Sequence, residues 1–335
     1  MAYQETRPFV IYHSVDPDGY ASAFILKQHY GEIILLPYNY EPNFNFLNRV
    51  PNETTVFLVD TSFPNEILKQ LNRRVDLTWI DHHDTAIKES LLDEEVKNIK
   101  GIRRNGTAAC ELTWEYINPG VAEPYALKMI GRHDVYDQNY FPDAIIFNYY
   151  LQTKNVKISP LTFDIWKELF SYNKETIDII IESHKVLFDY VNLQNEIVAK
   201  SICYEANIFN YKCIVANRSR IGSDFFKSVA TEDHDILVAW HVNKKGLIKY
   251  TFYSNKENVH VGNIAKELEI YFNKKCPNNK FNFGGHQGAA GCVCNKILLP
   301  NDNLVEKELD NKTKVKRYNL DNNKWEEVYE SITIS

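Results

Sequence analysis

Val75-Asp76-Leu77-Thr78-Trp79-Ile80-Asp81-His82-His83 passes from a short apolar run straight into three groups able to bind metal. Val75 to Ile80 reads as a buried strand, too short for a helix and rich in branched and aromatic residues. The same junction recurs upstream. Phe9-Val-Ile-Tyr12 runs into His13-Ser-Val-Asp16-Pro-Asp18-Gly19, and Thr55-Val-Phe-Leu-Val59 runs into Asp60. Helical stretches separate these runs, from about Tyr20 to Tyr30 (closed by Gly31) and from about Asn65 to Leu71, with a further strand at Ile33 to Leu36. Asp16-Pro-Asp-Gly19 has turn chemistry and is expected to join the first strand to its helix. Short apolar runs alternating with helices predict crossover units and a doubly wound parallel sheet, the α/β class. Loops beyond the carboxyl ends of such strands line one crevice. Residues spread from 13 to 83 are therefore expected to converge.

A single Asp at a strand end is more often a turn former or helix cap than a ligand. His13, Asp16, Asp18, Asp60, Asp81, His82 and His83 all sit at matching strand ends, and that shared placement favours a site. A fourth acidic group follows a helix in Arg132-His133-Asp134-Val-Tyr-Asp137. Carboxylate and imidazole donors without thiolate suit manganese or a similar divalent ion. The donors outnumber the needs of one ion, which points to two. Two ions ~3.5–4 Å apart can acidify a water and offset charge building on a phosphoryl group.

The chain has 335 residues, enough for two domains, and is 44% hydrophobic and 24% charged, as expected of a globular protein. Helical pattern continues through Glu111 to Ile117 and Ala126 to Ile130. From about Leu161 to Ile202 it forms a connector with no Gly or Pro between Thr162 and Gly222. The domain change is placed near residue 195. Strand-like runs follow at Cys213 to Ala216, Ile236 to Trp240 and Leu247 to Tyr253, then a helix at Val261 to Phe272. Domains are thus expected at 1–195 and 196–300. A polar extension, 301–335, would carry a hairpin at Lys314 to Leu320 and Trp325 to Tyr329.

The net charge of -6 argues against coating long nucleic acid, which usually calls for a basic surface. Cys110, Cys203, Cys213, Cys276, Cys292 and Cys294 are scattered without CxxC pairs, so no structural zinc site is expected. Met1 to Arg7 is polar, and no run approaches the ~18 apolar residues of a membrane span. A cytoplasmic protein with reduced thiols is expected.

Together these motifs resemble the DHH phosphoesterase family, which includes nanoRNases, RecJ-type exonucleases, cyclic-dinucleotide phosphodiesterases and related pyrophosphatases. His13-x-x-Asp16-x-Asp18-Gly19 looks like the first family motif, Val59-Asp60 the second, and Asp81-His82-His83 the signature triplet. Gly284-Gly285-His286-Gln-Gly-Ala-Ala-Gly291 looks like the glycine-rich motif of the partner DHHA1 domain. The resemblance implies a DHH domain, a helical connector and a smaller α/β DHHA1 domain. It implies that His13 and Asp16 hold one ion and that Asp18, His82 and the fourth-motif acid hold the other. Asp134 is chosen as that acid, with Asp137 its competitor. Asp60 would bridge the ions, Asp81 would orient a ligand, and His83 would face the scissile phosphate.

In the second domain Gly284, Gly285 and His286 are expected to contact substrate, against the plain reading of a tight turn. Arg218 and Arg220, in Asn217-Arg-Ser-Arg-Ile-Gly222, are candidate phosphate or base contacts as well as ordinary surface arginines. Many relatives carry an arginine in a Ser-x-Arg-Ser strand ahead of the helix. Here Thr251-Phe252-Tyr253-Ser254 puts Tyr253 in its place, which removes a bidentate clamp and offers a face for stacking.

The implied activity is hydrolysis of short oligonucleotides to mononucleotides with two Mn2+, for which Mg2+ or Co2+ could substitute. Hydroxide would attack phosphorus with no covalent enzyme intermediate. Cyclic dinucleotides, 3′,5′-bisphosphate nucleotides, RecJ-type exonuclease action and non-catalytic nucleotide binding are the alternatives. No membrane or long duplex partner is expected, and a homodimer is allowed.

Overall fold

Four strands, β1 (Phe9–His13), β2 (Ile34–Tyr38), β3 (Thr55–Val59) and β4 (Asp76–Ile80), pair in parallel in the order β2-β1-β3-β4 in the computed structural model. The structure describes residues 7–40, 43–159, 161–244, 246–275, 282–285, 288–294, 313–319 and 324–330. Successive side chains alternate across each strand. Phe9, Ile11, Val56, Leu58, Leu77 and Trp79 therefore pack on one face, and Val10, Tyr12, Phe57, Val59 and Ile80 on the other. Burial on both faces is why these strands read as continuous apolar runs.

The connecting helices are α1 (Pro17–Tyr30), α2 (Asn65–Asn72), α3 (Asp84–Ser90), α4 (Glu94–Lys97), α5 (Ala109–Ile117), α6 (Tyr125–Asp134) and α7 (Asp143–Lys154). Leu68, Leu71 and Val96 from α2 and α4 cover the first face. Phe24, Leu112, Leu127 and Phe147 from α1, α5, α6 and α7 cover the second. Helices on both faces of a parallel sheet make this the doubly wound α/β arrangement expected. The stretch read as one connector is two helices, α8 (Phe163–Ser171) and α9 (Lys174–Ile202). The chain divides into two units at Phe188 and Asp189, within α9.

One local expectation is corrected. Asp16-Pro-Asp-Gly19 is not a separate turn but the start of α1. Asp16 is its N-cap, with a side chain that accepts from Gly19 N at 3.2 Å, and Pro17 is the first helical residue. Proline fits there because that position has no intrahelical acceptor to lose. Asp18 is thereby carried into the first turn of the helix and buried.

The second unit is a mixed sheet with the order β12-β11-β5-β6-β7-β8-β10-β9. Its strands are β5 (Tyr204–Ile208), β6 (Tyr211–Asn217), β7 (Ile236–Val242), β8 (Ile248–Tyr253), β9 (Asn282–Gly285), β10 (Ala289–Cys294), β11 (Thr313–Asn319) and β12 (Lys324–Glu330), with α10 (Val261–Lys275) between β8 and β9. Val215, Val238, Tyr250 and Phe252 pack with Val261, Ile264, Ala265 and Leu268 of α10. Ile214, Ala216, Leu237 and Ala239 meet Phe225, Phe226 and Val229 on the opposite face. The polar extension supplies β11 and β12, an antiparallel pair that continues this sheet at β5. Among the described residues five cysteines are free, and no helix is long and apolar enough to cross a membrane.

The approach of α1 to β1 is close enough to fix one residue type. A Cβ on Gly19 would lie 2.0 Å from the carbonyl oxygen of His13. Gly19→Ala should therefore lower the unfolding free energy by about 1–3 kcal/mol, the scale of overpacking. A urea midpoint equal to that of the wild type would show that helix and strand can separate there without penalty.

Candidate metal centre

The order β2-β1-β3-β4 changes direction at β1, with β2 on one side and β3 and β4 on the other. That reversal opens a crevice at the carboxyl ends of β1 and β3, the usual ligand position in such sheets. His13 ends β1, Asp60 follows β3, and Asp81, His82 and His83 follow β4. Asp60 turns the chain with φ +53°, a left-handed backbone that Asp tolerates better than most residues. Its N–H still donates to Ile80 O at 3.0 Å, so the turn begins without loss of a ladder bond.

The side chains meet as two sets. His13 Nδ1 lies 2.9 Å from Asp16 Oδ2 and 3.5 Å from Asp60 Oδ2. His82 Nε2 lies 3.3 Å from Asp60 Oδ1, 3.3 Å from Asp134 Oδ2 and 3.6 Å from Asp18 Oδ2. Asp60 thus turns one oxygen to each imidazole. Donor atoms of His13, Asp16 and Asp60 fall within 4.8 Å of one another, as do those of Asp18, His82 and Asp134. A third such group joins Asp60, His82 and His83. In that group Nδ1 of His83 is held 2.6 Å from Asp81 Oδ1 and its Nε2 lies 3.1 Å from the Tyr40 hydroxyl.

The electrostatics fit a cation. Asp60 Oδ2 is buried and makes no hydrogen bond. Burial, then the charges of Asp60 and Asp134, pushes the Asp18 carboxyl well above its ordinary range. Burial also pushes Asp134 up to about 7, with Asp16 and Asp60 adding and His82 opposing. Burial alone would lower His13, but the carboxylates of Asp16 and Asp60 beside it outweigh that and raise the ring to about 11. His82 is raised for the same kind of reason. Burial would raise Asp60, yet His13 and His82 hold it below the carboxylate range. Protons on the imidazoles and on the raised acids thus offset charge that divalent cations would neutralise directly. Hard oxygen donors with imidazole suit manganese or a similar ion.

Sequence reasoning missed the other clamp on Asp18. Its Oδ2 accepts from Ala109 N at 3.0 Å and its Oδ1 from Cys110 N at 2.6 Å, at the first turn of α5. The N-cap of α5 is Ala108, which has no side-chain acceptor, so Asp18 satisfies amides that a Ser or Asp cap would otherwise take. An uncapped Ala108-Ala-Cys start was the available signal. Glu111 completes the end by accepting from Ala108 N at 3.0 Å.

Asp134 and Asp137 separate by their partners. Asp134 ends α6 beside His82, whereas Asp137 lies 3.3 Å from Arg132 Nη1 and accepts from Asn139 N at 3.0 Å. Asp134 therefore joins the donor set and Asp137 does not. Asp81 stays outside both sets. It is fully buried, its Oδ1 accepts from His82 N at 2.8 Å, and His83 draws its carboxyl below the usual range although burial opposes this.

In the second unit Tyr253 donates to Ile221 O at 3.0 Å, tying β8 to the 217–222 loop. Arg218 lies over the Phe225 ring at 5.2 Å, and Arg220 is exposed with φ +57°. Ala289 pairs with Tyr253 and Ala290 with Gly285, so these positions occupy neighbouring strands. A Cβ on Gly285 would come within 2.3 Å of Ala289 O, which gives that glycine a packing reason of its own. At Gly284 a Cβ would meet no described atom within 4 Å. His286 lies outside the described residues.

A doubly wound sheet with carboxylates and imidazoles clustered at its switch point defines an α/β domain whose residues could hold metal ions. Residues 8–139 match the sequence model of the DHH family, N-terminal domain. Members of the family are metal-dependent phosphoesterases. An uncharacterized protein of Acanthamoeba polyphaga mimivirus is 23% identical over 310 residues, covering 86% of this chain and 68% of that protein. Among solved structures, the DHH domain of a member of the s1p family of ribosomal proteins is 16% identical, with a TM-score of 0.54 over 87% of this chain and 83% of that one. That likeness is one of fold. A pGpG-specific phosphodiesterase from Vibrio cholerae is 13% identical, with a TM-score of 0.42 over 87% of this chain and 93% of that one.

The shifted groups set a pH dependence. Asp134 and His13 titrate higher in the folded metal-free chain than when unfolded. The folded state then binds more protons, and stability from these groups is lost as pH rises, through about 7 for Asp134 and about 11 for His13. Cations need the same groups deprotonated, so their binding strengthens over that interval. The rise in Tm that Mn2+ gives over EDTA-treated protein should be larger at pH 8 than at pH 6. Equal rises in a thermal melt would mean that these residues are not the ligands.

Proposed function

We propose that the protein is a phosphodiesterase that hydrolyses short oligonucleotides to mononucleotides with two divalent cations, Mn2+ preferred. The observation that carries this reading is Asp60, which turns one oxygen to the His13 set and the other to the His82 set. Two cations held there would supply an acidified water and a counter-charge for the phosphoryl group. The chain's own residues do the rest. His13 and Asp16 fix one end of the site, while Asp18, His82 and Asp134 fix the other. The α5 amides hold both oxygens of Asp18, so that carboxylate has one orientation. Asp81 holds His83 through Nδ1, and a phosphoryl oxygen would meet the ring at Nε2 in place of the Tyr40 hydroxyl, which lies 3.1 Å from that nitrogen.

Two substitutions separate binding from chemistry. Asp60→Asn should leave a folded protein that has lost bound metal and nearly all turnover, because one carboxylate serves both sets. His83→Ala should keep its metal while kcat falls about 10²-fold or more, the scale for losing one donor to the transition state. Metal analysis beside steady-state kinetics checks both. Two ions retained in Asp60→Asn, or metal lost in step with rate in His83→Ala, would reverse the roles.

Substrate length follows from charge. With a net charge of -6 the chain has no overall attraction for the added phosphates of a longer strand. Substrates of roughly two to four nucleotides, about what one site holds, should be cut much faster than a strand of about 20 nucleotides. A panel of linear oligomers, cyclic dinucleotides and 3′,5′-bisphosphate nucleotides assayed with Mn2+ decides this. Processive decay of the long strand at matching rates would favour a RecJ-type exonuclease. Cleavage of only a cyclic or bisphosphate substrate would keep the chemistry and replace the substrate.

A further inference from the structure

Tyr40 lies two residues beyond the carboxyl end of β2, at the same edge of the sheet as His13, Asp60 and Asp81. Its backbone is left-handed, with φ +48°, a conformation bulky residues seldom adopt outside sites that hold them there. The ring is 40% exposed, yet it is fixed on several sides. It meets the His13 ring edge-on at 5.5 Å and the His83 ring edge-on at 5.9 Å, and leans on Tyr38 at 5.8 Å. Its hydroxyl is 3.1 Å from Nε2 of His83. That nitrogen is the one not held by Asp81, whose Oδ1 is 2.6 Å from Nδ1.

An imidazole held at one nitrogen can still swing about its Cα–Cβ and Cβ–Cγ bonds. Held at both nitrogens, it has one position. An Asp81 carboxylate oxygen meets one ring nitrogen of His83 and the Tyr40 hydroxyl meets the other. We propose that Tyr40 is a positioning residue for the phosphoesterase reaction: its hydroxyl holds the His83 ring at Nε2 in the substrate-free site, so that the ring already lies in place when a phosphoryl oxygen displaces the hydroxyl from that nitrogen. The inference rests on the role given to His83 under the proposed function. The simpler account of Tyr40 is an aromatic that only packs on Tyr38 and His13. The two accounts differ in the hydroxyl alone, since Tyr40→Phe keeps the ring.

Tyr40→Phe should leave bound metal and KM within about twofold of wild type on a dinucleotide with Mn2+, while kcat falls about 10-fold or more, the scale seen when a partner that orients a site histidine is removed. In a His83→Ala background the same substitution should have no further effect, because its action runs through the lost ring. A readout free of turnover accompanies these. The ¹⁵N resonance of His83 Nε2, assigned by its disappearance in His83→Ala, should move when the tyrosine hydroxyl is removed. Unchanged kcat with an unmoved resonance would overturn the proposal, as would equal fold-losses in the wild-type and His83→Ala backgrounds. If the wild type cleaves no phosphoester, the proposed function fails, and the resonance still decides whether Tyr40 holds His83.

Discussion

Asp18, Asp60 and Asp134 all stand within reach of one nitrogen, His82 Nε2, in a region where water is largely excluded. Like charges this close in a poorly solvated site cannot all remain ionised without a compensating cation or proton. The raised carboxyls of Asp18 and Asp134 and the raised imidazoles of His13 and His82 are the consequences. A fold that assembles such a cluster pays in stability unless something positive enters it. The architecture around the site is therefore concerned with holding acids together rather than with holding them apart.

Each supporting feature answers that demand locally. The α5 N-terminus gives Asp18 two amide donors and the positive end of a helix dipole. Its own first turn lacks a capping side chain, so the helix and the acid complete each other. Gly19 lets α1 approach β1 so closely that Asp16, its N-cap, and Asp18, in its first turn, stay beside His13 and His82. The left-handed backbone at Asp60 accepts local strain immediately after a strand whose ladder is intact. Arg132 binds Glu111 on α5 and Asp137 beyond α6, and so ties the end of the helix bearing Asp134 to the helix that clamps Asp18.

The sheet was legible in the sequence because both of its faces are buried, which makes every strand a short unbroken apolar run ending in a polar group. The donors at strand ends were legible for the same reason. The start of α1 was not, since Asp-Pro-Asp-Gly serves equally as a turn and as an N-cap with proline in the first helical position. Asp134 and Asp137 could not be told apart by spacing, because the choice depends on where Arg132 points. The clamp on Asp18 was hidden for a different reason. Its donors are backbone amides 91 and 92 positions away, marked in the sequence only by a helix start that lacks a capping side chain. β5 was hidden too, because Tyr204-Glu-Ala-Asn-Ile208 carries no clear apolar alternation and follows α9 almost directly.

His82 and His83 show most directly how neighbours decide chemistry. They are identical and adjacent, and both follow β4 through Asp81. Nε2 of His82 faces three carboxylates, and its backbone N–H is accepted by Asp81. Nδ1 of His83 faces that same Asp81, and its Nε2 meets Tyr40. One imidazole is thus surrounded by groups that demand a cation, and the other by a single buried acid and a phenol. The difference lies in what β2, α1 and α6 bring to each ring, none of which is contained in the triplet itself. A His-His pair after a strand is therefore a statement about geometry only. The acids that other elements deliver gather around Nε2 of His82, whereas the ring of His83 is held between Asp81 and Tyr40.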